Sequence, residues 1–562
     1  MVLRSLLSRI RCFAVLATVL SAAARAQATS GVGADAVPVP AHGSRIRIGG
    51  LWSNYDSRFA TSTDGSTKKG GLYAGFARDN LGVTDLPKLT PAETNIRLLS
   101  GLGTGFQLSL GKLEARGDVS KSTTPLQIEY GITNRLSVSV LVPYVETTSN
   151  NRFTLNRGGA GATVGQNPAR LTATNSSRTT NNAVAAQIEA SRTLLAAEIA
   201  RCGAVSETGG GCAAIRATPA AAQSLLSQAA SFKTLMSALY GTSTVAGSPV
   251  VPVAASPAQK AIETQLLALR ASFVNFSSNG LDSTSKPIGA TVIYGSGGLT
   301  TIVRDTAFGL AYDTLMNGGR AGIGDVEVSA TLLLLNTLGG SQSNRLNVSK
   351  RALRTSVTGG WRFGTATGGR SGNPFDLPTG DGANALLLRS TTDLIWNRRV
   401  WVSGTVRYAR PLTDNVVTRF PGTSDSSFFR PSRVSAAERT LGAVTEFEIA
   451  PRLGIGRSFG VSMAYAIDHQ SSSTIAPSLD PLFDPLPGAV VPAAYSTLAA
   501  TAQTLQFGAS YSTLNAFMRG KSRWPLEIIY SHGLTLAGSG GVVPANIFDR
   551  IELRIYTRFP RR

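Results

Sequence analysis

The sequence predicts an all-β protein: a transmembrane antiparallel up-and-down β-barrel of about 12–14 strands, with an extracellular α-helical insertion. Three observations predict it. Apolar and polar residues alternate in segment after segment, an export signal precedes them, and short turns alternate with long polar connections.

The chain opens "MVLRSLLSRIRCFAVLATVLSAAARA", with basic residues, a short apolar run from Phe13 to Leu20, and small residues ending Ala24-Arg25-Ala26. This is the pattern of a signal peptide cleaved after Ala26, too short for a spanning helix. No later run of about 18 apolar residues exists to form a transmembrane helix, and a closed barrel is the other structure that satisfies its backbone inside lipid. A secreted β-protein competes with it. The formal net charge of +21 is carried mostly by arginine without a compact basic run, so lipopolysaccharide, acidic lipids or a solute in a pore are nearer anions than nucleic acid.

Along the barrel, "NRLSVSVLVPYVE" sets Leu136, Val138, Val140, Val142 and Tyr144 on one face and Arg135, Ser137, Ser139, Leu141 and Pro143 on the other. Leu126, Ile128 and Tyr130 oppose Gln127 and Glu129, and Val326, Val328 and Leu332 oppose Asp325, Glu327 and Thr331. Later segments repeat the pattern, as where Phe459, Val461, Met463 and Tyr465 oppose Gly460, Ser462, Ala464 and Ala466. A soluble sandwich would alternate too, so loop lengths decide. Turns 131–134, 397–399 and 450–456 are short, while 368–384, 413–437 and 470–497 are long and polar. Short periplasmic turns and long extracellular loops are the outer-membrane pattern; only 336–350 is long on the periplasmic side.

Counting back from a periplasmic C-terminus gives twelve strands, near 547–559, 524–535, 502–515, 457–469, 439–450, 399–410, 385–396, 351–364, 323–336, 135–146, 124–131 and 105–117. The domain order expected is a signal peptide (1–26), an N-terminal segment that is a plug or the first strands (27–104), a first barrel segment (105–146), the insertion (147–320) and a second barrel segment (321–562). "SRIRIGGLWSNYDSRF", with Ile46, Ile48 and Trp52 in step, adds a strand if it finds a partner.

The insertion follows a helical period instead. Val184, Ile188, Ser191, Leu195 and Ile199 form one stripe, Leu225, Ala229, Phe232, Met236 and Leu239 a second, and Ile262, Leu266, Leu269, Phe273 and Phe276 a third. Thr218-Pro219 and Ser256-Pro257 read as N-caps with first-turn prolines. Cys202 and Cys212, the pair left after the signal departs with Cys12, predict a disulfide in an oxidising compartment; no histidine nearby suggests a metal.

Three blocks, "YGITNRLSVSVLVPYV" (130–145), "GIGDVEVSATLLLL" (322–335) and "LPTGDGAN" (377–384), resemble the outer-membrane family of putative MetA-pathway of phenol degradation proteins, similar in turn to FadL-type transporters of hydrophobic compounds. The resemblance covers about residues 105–562 without the insertion. It implies a monomeric barrel passing small hydrophobic or aromatic solutes by passive diffusion. The insertion and the ending Phe559-Pro560-Arg561-Arg562 depart from the family pattern.

No catalytic, metal or cofactor site is expected. Asp468 and His469, and Ser531 and His532, are adjacent on strands and point to opposite faces, so neither pair can share the hydrogen bond a dyad needs. The expected lumen-lining residues are Glu129, Arg135, Asp325, Glu327, Arg354, Arg362, Arg407, Glu446, Glu448, Glu527, Glu552, Arg554 and Arg558. Such a mixture either braces the interior with ion pairs or forms a constriction that favours anions. The expected partners are outer-membrane lipids, lipopolysaccharide, the barrel assembly machinery and small hydrophobic solutes. The alternative function is a surface-exposed binding protein or adhesin, with the barrel as anchor for the insertion.

Overall fold

The computed structural model describes residues 36–557 apart from 62–65, 158–160, 172–175, 204–207, 311, 313–316, 338–350, 370–372, 374, 397–399, 421–433, 456–457 and 479–493. The expected signal peptide with Ala26, and Arg558, lie outside the described residues.

Twelve antiparallel strands form a closed barrel. In chain order they are β1 (Ser44–Tyr55), β2 (Leu113–Gly131), β3 (Leu136–Leu155), β4 (Val326–Asn336), β5 (Ala352–Phe363), β6 (Ala385–Ile395), β7 (Val400–Pro411), β8 (Val444–Ile455), β9 (Phe459–Gln470), β10 (Ala500–Ser512), β11 (Leu526–Gly540) and β12 (Ile547–Thr557). Each pairs with its sequence neighbours, and β1 closes the ring between β2 and β12. A short strand, Gly318–Ile323, continues the line of β4 along the far half of β3.

The alternation read from the sequence sorts the two faces. Ile48, Ile128, Val140, Val328, Phe447, Phe507 and Ile551 are exposed on the outside, where Leu388 is 54% accessible. Ser356, Thr391, Ser403 and Thr405 are buried inside. A continuous outward belt of this kind has acyl chains as its solvent, because water would leave it uncompensated. Aromatics mark both margins: Tyr130, Trp396, Phe459 and Trp524 at one end, Trp52, Tyr144, Phe363 and Tyr408 at the other. The barrel therefore spans a membrane, and closed barrels of this type are those of Gram-negative outer membranes. The end that gathers the long connections is here the outer end, and the opposite one the inner end.

Three strand assignments differ from expectation. Residues 105–117 and 124–131 are not two strands, because β2 is one strand of 19 residues and β3 one of 20. Their outer halves extend past the apolar belt, where outward side chains such as Asp118 and Asn150 meet water and alternation has no reason to persist. β8 occupies 444–455 rather than 439–450, since Pro451 sits within the ladder opposite Val402 instead of starting a turn. The N-terminal segment supplies β1 as a wall strand paired on both edges, which leaves no separate strand at 105–117.

A helical body caps the outer end. Its helices are α1 (Thr90–Ser100), α2 (Ser176–Arg201), α3 (Pro219–Tyr240) and α4 (Pro257–Asn275). The three expected stripes meet in one core: Ile188 and Leu195 from α2, Leu225, Met236 and Leu239 from α3, Ile262, Leu266 and Phe273 from α4. The N-terminal segment contributes the rest, with Leu72, Leu86, Ile96 and Leu99 buried in the same core. Cys202 and Cys212 are joined, with Cα atoms 5.0 Å apart, tying the end of α2 to the short helix Cys212–Ala217. Ser256 Oγ accepts from Gln259 N at 3.2 Å as an N-cap should, whereas the Thr218 hydroxyl donates backwards to Ala214 O at 3.0 Å and caps nothing.

Candidate functional site in the barrel lumen

Inward-facing residues of twelve strands converge on one interior, and charged side chains fill it in tiers. Near the inner end Glu129 accepts from Arg45 Nε at 3.0 Å and pairs with Arg47 Nε at 2.8 Å. Glu552 is held by Arg554 and Arg550, and Glu527 accepts from the Tyr556 hydroxyl at 2.7 Å. Midway along the barrel Arg407 pairs with Glu446 and, at 3.2 Å, with Glu448. Nearer the outer end Arg362 pairs with Glu327 at 2.8 Å and with Asp381 at 3.7 Å. Opposite signs on neighbouring strands let these ions compensate one another away from bulk water.

The inner mouth is crossed by the chain ahead of β1. His42 N donates to Gly131 O at 2.8 Å and Ala41 N to Asn134 Oδ1 at 3.1 Å, anchoring this tail beside the β2–β3 turn. Ala36 N then donates to Asp393 Oδ2 at 3.1 Å on β6, and Ala36 and Val39 are buried. Asp393 is fixed in turn by Arg354 at 3.0 Å and by the Ser403 hydroxyl at 2.7 Å. Gly131 is needed where the tail docks, since a Cβ there would strike the carbonyl oxygens of Val39 and Pro40.

The outer mouth is narrowed by the described residues 364–369 and 375–384 of one connection. Asp325, at the break between Gly318–Ile323 and β4, accepts backbone N–H groups from Ala366 at 3.0 Å, Asp381 at 2.8 Å and Gly382 at 3.2 Å. The Thr379 hydroxyl donates to Ile323 O at 3.0 Å. The "GIGD" and "PTGD" blocks, far apart in sequence, are thus two halves of one clasp that seats this connection in the mouth. Phe375 extends the clasp, meeting Tyr73 and Phe76 edge-on and Phe153 at a tilt in the core beneath the helical body. Burial pushes the Asp381 carboxyl up to about 6, against the opposing pull of Arg362.

Between these mouths lies a cavity of about 130 Å³ that opens to solvent. Its wall combines Leu141, Leu387, Leu441 and Val444 with Glu327, Arg362, Arg407 and Glu446.

Of the residues expected to line the lumen, Glu129, Asp325, Glu327, Arg354, Arg362, Arg407, Glu446, Glu448, Glu527, Glu552 and Arg554 all point inward on barrel strands or their margins. Arg135 does not. It is exposed in the inner turn before β3, where its N–H donates to Thr133 Oγ1, because the strand begins one residue later than the alternation suggested. Sequence reasoning missed Arg45, Arg47, Arg389 and Asp393, although "RIRIGG" and "LLRSTTD" carry each of them at the alternate position that marks a polar face. It also missed Asp381, which occupies irregular backbone and leaves no periodic signal; the tail falls within the N-terminal segment read as a plug or the first strands. His469 bonds Thr501, and His532 bonds Asp549, both on the outer face and away from the lumen.

No family model matches the chain, and no curated protein does. Among solved structures, an outer membrane channel from Pseudomonas putida F1 is similar over 93% of this chain and 98% of its own, at 9% identity and a TM-score of 0.38. The toluene transporter TbuX of Ralstonia pickettii is similar over 92% and 90%, at 9% identity and a TM-score of 0.27. The translocator domain of the autotransporter NalP from Neisseria meningitidis is similar over 97% and 94%, at 7% identity and a TM-score of 0.28. Scores of this size add nothing to the fold, which rests on the strand pairing of this chain.

Proposed function

We propose that the protein is an outer-membrane channel or transporter that passes small hydrophobic or aromatic solutes by passive diffusion, with the inner end in the periplasm and the helical body outside the cell. One observation carries this: a cavity with apolar wall segments lies inside the barrel, between a tail at one mouth and a clasped connection at the other. A barrel serving only as an anchor has no need of such a space. The resemblance of the clasp blocks to the MetA-pathway family, itself similar to FadL-type transporters, agrees with the assignment. A monomer, contacts with lipopolysaccharide and delivery by the barrel assembly machinery belong to the same proposal. The adhesin alternative ranks second, because the helical stripes that a partner would have used are buried in the body's own core.

The test is transport by the full mature protein in liposomes and planar bilayers. Toluene or benzyl alcohol should equilibrate faster than in protein-free liposomes, and a small current should be seen in salt gradients. Flux of neutral aromatics equal to that of empty liposomes would overturn the proposal.

A further inference from the structure

Arg389 faces inward at mid-height on β6. Its cross-strand neighbours are Thr358 on β5 and Arg407 on β7, so two guanidinium groups stand directly opposite each other. Like charges at such positions destabilise a sheet unless something compensates them. Arg407 is compensated by Glu446 and Glu448. Arg389 has only the Thr358 hydroxyl, at 3.3 Å, and no carboxylate among the described residues lies within ion-pair distance. A guanidinium offers more N–H donors than one hydroxyl can use. It is half-buried and turned into the cavity, so some of its solvation is already lost.

The surroundings say what kind of anion would complete it. Leu387 lies next along the same face of β6, and Leu141, Pro411, Leu441 and Val444 supply an apolar wall. Glu327 and Glu446 line the same cavity but are committed to Arg362 and Arg407. Those carboxylates would repel a second negative charge, and the apolar wall offers nothing to a compact oxyanion. We infer that the cavity is a binding site for a small monoanionic amphiphile, an aromatic or branched aliphatic carboxylate, whose head pairs with Arg389 and whose body lies on Leu387, Leu441 and Val444. The inference rests on the transport proposal and narrows its substrate class from hydrophobic solutes to those with an anionic head.

The experiment is calorimetric titration of the full mature protein in detergent with benzoate, its neutral relative benzyl alcohol, and sulfate, with folding verified by heat-dependent gel mobility. Benzoate should bind at least about ten-fold more tightly than benzyl alcohol, the usual weight of charge-assisted hydrogen bonds. Arg389→Gln should erase that preference by weakening benzoate far more than benzyl alcohol, while Arg389→Lys should keep some of it. Leu387→Glu, which places an internal carboxylate beside an intact Arg389, should weaken benzoate more than benzyl alcohol and so narrow the preference, and it serves if the glutamine variant does not fold. Equal affinity for benzoate and benzyl alcohol, undiminished benzoate binding by Arg389→Gln, or sulfate binding as tightly as benzoate would each overturn the inference. Flux of benzyl alcohol without benzoate binding rejects the site and leaves transport standing. Benzoate binding without flux of either compound rejects transport and leaves the site standing.

Discussion

Asp325 shows how much one side chain can organise when three backbone donors point at it. The Asp325→Ala variant leaves the N–H groups of Ala366, Asp381 and Gly382 without that acceptor, which should cost about 2 kcal/mol or more. The expected outcome is a lower unfolding temperature by gel mobility and faster protease cleavage within 364–384 on intact cells. Asp381 makes the same mouth sensitive to pH. Its carboxyl is protonated below about 6 and ionised above it, so the anion-over-cation permeability ratio should fall as pH rises through that value. Asp381→Asn should remove the step. The folded chain keeps this proton where an unfolded carboxyl, with a pKa of about 4, has lost it. The contribution of Asp381 to stability therefore declines as pH rises between those two values and is constant above them. These roles were only half legible: Asp325 sits at a strand margin that alternation marks as inward, while Asp381 lies in irregular backbone whose position depends on a clasp formed with a distant segment.

At the scale of elements, the tail crossing the inner mouth is held by backbone hydrogen bonds to Asn134, Gly131 and Asp393, and removing residues 27–43 should raise single-channel conductance several-fold in planar bilayers. Gly131→Val should do the same in the full-length chain, because its side chain occupies the space of the Pro40 carbonyl. The Cys202–Cys212 bond closes a short loop, with a sequence separation of 10. Cys202→Ser with Cys212→Ser should lower the stability of the helical body by about 2–3 kcal/mol, read by proteolysis, while the heat-modifiability of the barrel stays unchanged. Strands inside the apolar belt were legible because one face must be greasy. The outer halves of β2 and β3 were not, since their outward face meets water instead of lipid and their inward face, with Leu113, Val119 and Leu155, packs into the outer body, so the greasy outward row stops while the ladder continues. α1 escaped notice because its buried face, Ala92, Ile96 and Leu99, packs on helices far later in the chain.

For the molecule as a whole, the sequence marks a helical insertion at 147–320, and the outer body draws on the N-terminal segment as well. Residues 72–110 share its core with α2, α3 and α4. Deleting 158–316 alone should leave Leu86, Ile96 and Leu99 uncovered and yield aggregated protein, whereas deleting 62–110 together with 158–316 and bridging the strands should restore a heat-modifiable barrel; recovery of soluble, folded protein from both deletions would contradict this. The way the wall is sealed has a consequence for biogenesis. Because β1 and β12 are paired along almost their whole length, the first wall strand made must wait with one unsatisfied edge until the last has been delivered. A polypeptide cut short at residue 546 would present two bare edges to its surroundings, so closure of the cylinder depends on delivery of β12.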